Sequence, residues 1–117
     1  VVGTTGDSTV TAEDATVADS NPVISISVQP ANQNTSSGAA TFAITAAVTV
    51  GSLTYQWQKA VAGSTRFVNV GGATSSSLVL ASQSSANTGD RYRCVLGSTT
   101  DGAAKVTSNV ATLTYVA

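Results

Sequence analysis

The chain has 117 residues, enough for one domain with a workable core. Only 9% of the residues are charged and the formal net charge is −1, which excludes a nucleic-acid groove built on clustered Lys and Arg. No apolar run reaches the roughly 18 residues of a membrane-spanning helix, so no membrane partner is expected.

Residues 1–22 come first in the chain and differ from the rest. They carry Asp7, Glu13, Asp14 and Asp19 with no base, a charge of −4, whereas residues 23–117 carry five bases against Asp90 and Asp101, a charge of +3. The segment is small and polar, its largest apolar residues being valines, so it reads as a flexible acidic arm or linker. Its one alternating stretch, Thr9, Val10 and Thr11, is the candidate attachment strand, suited to adding onto an exposed sheet edge. Neither a basic start nor an apolar run opens the chain, so no signal peptide is expected. The start at Val1 and the lack of Met suit a removed initiator, a cut precursor or an excerpt equally.

From Val23 the pattern turns strictly alternating, which predicts half-buried strands. Ile24, Ile26 and Val28 define the first, ended by Pro30; residues 31–38 read as a turn region. Phe42, Ile44, Ala46 and Val48 define the second. Gly51 and Ser52 turn the chain into a third strand bearing Leu53, Tyr55 and Trp57. A short strand is predicted around residues 67–70, broken by Gly71 and Gly72, and another over 77–81 with Leu78 and Leu80 on one face. Tyr92, Cys94 and Leu96 share a face of the next, and Asp101-Gly102 marks a hairpin loop. The last strand, over 106–116, points Ala111, Leu113 and Tyr115 inward. Seven strands or more, with helix limited to a turn near 84–88, predict an all-β, two-sheet antiparallel sandwich. The expected core is Ile44, Trp57, Leu80, Tyr92, Cys94 and Leu113.

Chemistry is sparse. There is no His, hence neither the usual general base nor the commonest metal ligand. Cys94, the only cysteine, cannot form an internal disulfide and reads as a buried thiol rather than a nucleophile. Asp90 and Asp101 are the one carboxylate pair to weigh, and turn chemistry accounts for both. Asn34-Thr35-Ser36 has the form of a glycosylation acceptor, which chance supplies readily in a chain with 34 Ser and Thr. No catalytic residue, cofactor or metal is expected. Arg66, Arg91 and Arg93 suit an anionic surface or a host-surface glycan, with a merely solvated face as the ordinary alternative. Tyr55 shares the parity of Trp57 and so belongs to the core rather than to a sugar platform.

Three motifs carry a resemblance: Trp57 within Tyr55-Gln56-Trp57-Gln58-Lys59, Tyr92 two residues before Cys94, and Phe42-Ala43-Ile44 one strand and turn before the Trp. Residues 23–117 resemble the immunoglobulin superfamily, in which a core Trp packs on a disulfide between strands B and F and a corner Tyr precedes the second Cys. The resemblance implies that Trp57, Tyr92 and Cys94 take those places, with Ile44 at or beside the position of the missing cysteine. Such a bond is worth about 2–5 kcal/mol to a small domain, which packing must replace. The segments over 53–58, 72–78 and 90–94 are also similar to immunoglobulin-like modules of tailed-phage capsid, decoration and tail proteins and of bacterial surface proteins. The expectation is a non-enzymatic module of a virion, a capsid-decoration or tail-surface protein attached through its arm to capsid or tail subunits. The alternative is one repeat of an adhesin or cell-wall protein at the bacterial surface.

Overall fold

The computed structural model describes residues 22–100, 102 and 104–116. The attachment candidates Thr9, Val10 and Thr11 therefore lie outside the described residues, as does Asp101. Ten strands appear: β1 (Ile24–Val28), β2 (Gln33–Thr35), β3 (Ala40–Ala43), β4 (Thr45–Val48), β5 (Leu53–Ala60), β6 (Val68–Asn69), β7 (Ser77–Leu80), β8 (Arg91–Ser98), β9 (Val106–Thr107) and β10 (Ala111–Tyr115). A 3-10 turn, Ser85–Asn87, is closed by a capping box between Ser84 and Asn87.

The strands form two layers. One is a sheet in the order β2-β10-β8-β5-β6, with β9 also on β8. The other joins the β1–β4 and β3–β7 ladders, because β3 and β4 are one run of chain interrupted at Ile44. There the Ile44 amide donates to the Ser76 carbonyl at 3.0 Å, so the break costs no unpaired donor. The β5–β8 ladder runs in unbroken register from Leu53 opposite Ser98 to Ala60 opposite Arg91. It places Trp57 directly across from Cys94.

Strand β2 falls where the sequence predicts only a turn. Its residues, Gln33, Asn34 and Thr35, have no apolar alternation to reveal them. They pair in parallel with Leu113, Thr114 and Tyr115, the one parallel ladder among the described residues. Pro30, with no N–H to give, ends β1 and lets the chain cross from one layer to the other. The last strand is likewise divided in two. Buried Ser108 sits in the gap, its amide donating to the Cys94 carbonyl and its Oγ accepting from the Cys94 amide, both at 2.8 Å.

The core lies between the layers. Trp57, Phe42, Cys94, Leu96 and Leu113 are completely covered and Tyr92 is 1% exposed, while Ile44 and Leu78 are also buried. The rings of Phe42 and Tyr92 pack 5.0 Å apart with a tilt of 32°. Leu80 requires a correction: it is only partly buried, and Leu78 is the fully buried leucine of β7. Leu78 faces Phe42, whereas Leu80 faces Ala40 at the end of the ladder, where a methyl group covers little of it. It lines a shallow surface depression together with Val70, Ala73 and Val79.

Candidate functional site

The β5–β8 ladder places Cys94 and Tyr92 in the interior. Cys94 is completely covered and its thiol is pushed up to about 11 by burial, with a hydrogen bond involving the Gln56 backbone acting the other way. A thiol held that far above neutral pH is not a nucleophile. Tyr92 is pushed up to about 12, first by burial and then by the neighbouring carboxylate of Asp90. Among the described residues no three His, Cys, Asp or Glu side chains come together as a metal site, and no helix is long and apolar enough to cross a membrane.

Asp90 does more than shape a turn. It is buried, and its Oδ2 lies 3.3 Å from the Lys59 ammonium, which reaches in from the end of β5. Oδ1 accepts from the Ala62 amide at 3.0 Å, and Oδ2 accepts from Asn87 Nδ2 at 3.2 Å. The Asp90 backbone is bound too, its carbonyl accepting from Leu113 N at 2.8 Å. One carboxylate thus ties together the β5–β6 loop, the 3-10 turn and the start of β8. The pair occupies the Lys59 ammonium.

The remaining cations behave differently. Residues two apart on a strand share a face, so Arg91 and Arg93 point together away from Tyr92 and Cys94, onto the outer side of the larger sheet. Both guanidiniums lie over the ring of Phe67, Arg93 at 4.1 Å and Arg91 at 5.5 Å from its centroid. Such contacts hold an arginine in place while leaving its charge exposed. Arg93 Nε also donates to Gln58 Oε1 at 2.8 Å, and Arg91 Nη2 donates to the Ser64 carbonyl. Gln58 in turn donates through Nε2 to Asn69 Oδ1 at 3.0 Å, extending the polar row to the edge strand β6. Arg66 is exposed one residue before Phe67. The Arg91–Arg93–Phe67 platform is the most organised cationic surface among the described residues.

Tyr55 is part-buried and packs against the core cluster. Sequence reasoning singled out the three arginines but missed Phe67 as their support, and it missed the Lys59–Asp90 clasp. Both are contacts between residues about 24 to 31 positions apart, which the pairing of β5 with β8 creates.

No protein-family model matches the sequence, and no curated protein sequence matches it. A solved structure described as Sidekick-1 immunoglobulin domains 1-5 superposes with a TM-score of 0.58 at 21% identity, over 79% of this chain and 19% of that one. This chain thus spans about a fifth of that protein's length. The fold is an immunoglobulin-like β-sandwich, and the single cysteine leaves it without the disulfide between its layers. The likeness is one of fold, and a fold of this kind hosts many functions.

Proposed function

We propose that this module serves a virus particle, as a phage capsid-decoration or tail-surface component whose sandwich projects outward while residues 1–22 hold it to capsid or tail subunits. The observation that carries the reading is a core closed without a disulfide. Ile44, Trp57, Tyr92 and Cys94 are buried together, so packing alone joins the two layers. A domain built this way folds in the reducing interior of a cell, where particles assemble. The acidic segment supports the reading from the other side: it has no large apolar residue with which to build a core of its own, a composition suited to binding along a partner.

Pro22 is buried in the sandwich, so the segment to remove ends at residue 21. Particles assembled from the structural genes of its own genome, with the intact chain or a chain lacking residues 1–21, are sedimented and probed for the domain. The expected result is co-sedimentation of the intact chain and loss of the shortened one, with its thermal unfolding unchanged. Co-sedimentation of both moves the docking surface to the sandwich. Absence of both from the particle overturns the virion reading.

A further inference from the structure

Charge in this chain is segregated in sequence. Residues 1–22 hold four carboxylates and no base. The Lys59–Asp90 pair is the one ion pair between described residues, leaving Arg66, Arg91 and Arg93 without a carboxylate partner among them. Two arginines two apart on one strand face have Cα atoms about 7 Å apart and guanidiniums over one ring, so each raises the electrostatic cost of the other and an anion placed against both lowers it. Phe67 and Gln58 hold the pair in position, and an ordered pair of arginines is geometrically suited to carboxylates.

The point where the acidic segment leaves the sandwich and the arginine platform lie toward opposite poles. The acidic segment leaves at Val23, which is bound to Thr49 at both its amide (3.0 Å) and its carbonyl (3.1 Å), next to the turn that enters β5 at Leu53. Arg93 and Arg91 pair with Gln58 and Ala60, near the far end of β5. The separation along the strands is therefore about 17–23 Å, and passage around the edge of the sandwich to the outer face of β8 adds about 20 Å in a second direction. Asp19 lies three residues from Pro22 and reaches about 10 Å; Asp14, eight residues away, reaches about 28 Å at full stretch. Of the four carboxylates only Asp7, fifteen residues from Pro22 and about 50 Å away at full stretch, reaches the platform on its own chain. The segment's full charge can therefore engage the platform only of a neighbouring copy.

We infer that the acidic N-terminal segment of one copy docks on the Arg91–Arg93–Phe67 platform of a second copy. The contact is head-to-tail and heterologous, so it repeats along a row of copies or closes into a ring. The inference rests on reading residues 1–22 as an attachment segment, and it adds a second copy of this chain to capsid or tail subunits as a partner of that segment.

The test uses full-length chains in sedimentation velocity. One variant has a neutral segment (Asp7→Asn, Glu13→Gln, Asp14→Asn, Asp19→Asn), the other a neutral platform (Arg91→Gln, Arg93→Gln). The intact chain should associate with rising concentration in about 20 mM salt and dissociate in about 500 mM, where the Debye length falls to a few ångströms. Either variant alone should associate at least about tenfold more weakly. Mixed one to one, the two variants should form a dimer and nothing larger, because the mixture contains one intact segment and one intact platform per pair. A monomeric intact chain at low salt, association unaffected by neutralising the segment, or a mixture that stays monomeric each overturns the inference. Should the platform variant misfold, Arg91→Lys with Arg93→Lys and the segment variant, which leaves the described sandwich untouched, still decide it. Particle attachment is scored separately, so attachment without self-association sinks this inference and leaves the virion reading standing.

Discussion

Replacing Trp57 by Ala tests the packing that stands in for a disulfide. The side chain is completely covered, and its Nε1 donates to the Ser75 carbonyl at 2.8 Å. Burying a Trp removes on the order of 200 Å² from water, worth about 5 kcal/mol at 25 cal/mol per Å², an upper figure because the unfolded chain already hides part of it. The cavity adds a cost that partial collapse of Leu96, Leu113 and Phe42 reduces, and the lost hydrogen bond costs little because Ser75 is exposed to water. The net loss should be about 3–5 kcal/mol, a large share of the 5–15 kcal/mol typical of a domain. Because Trp57 is the only tryptophan, unfolding in urea must be followed by far-ultraviolet circular dichroism rather than fluorescence. The midpoint should fall with the slope unchanged. A loss under about 1 kcal/mol would refute the reasoning, since no fully covered Trp at the centre of a core is that dispensable.

Cys94 should resist a thiol reagent in the native state at neutral pH and react only on unfolding; rapid native labelling would contradict its burial. Stability should fall in alkali. Tyr92 and Cys94 both have folded-state values raised above their unfolded ones, from 10.0 to about 12 and from 9.0 to about 11, so their contribution is whole below about pH 9 and is lost as pH rises toward 12. Urea midpoints at pH 8 and pH 11 measure this, and a flat profile would show that neither group is desolvated. Asp90→Ala strips Lys59, the Ala62 amide and Asn87 of their acceptor and should cost about 1–3 kcal/mol, read from the same denaturation curves. Gly38→Ala should cost about 1–3 kcal/mol in melting experiments, because φ is +95° there and an added Cβ would meet the Gln83 carbonyl oxygen at 2.9 Å.

The sequence by itself determined the class of fold and most of the core. A side-chain period of two is a local property, so alternation over 24–28, 42–48, 53–57 and 92–96 assigned Ile44, Trp57, Tyr92 and Cys94 to one interior without any knowledge of pairing. Alternation fails where burial depends on the partner strand: Leu78 and Leu80 have the same parity, and only the residues opposite them, Phe42 and Ala40, decide which is covered. It fails again for Gln33, Asn34 and Thr35, an edge strand held by backbone hydrogen bonds that leave no mark on side-chain choice. The clasp of Lys59 on Asp90 and the stacking of Arg91 and Arg93 on Phe67 were decided by tertiary structure alone. Each joins segments that become neighbours only when β5 pairs with β8, and a charge in a sequence does not say whether a partner will be folded against it.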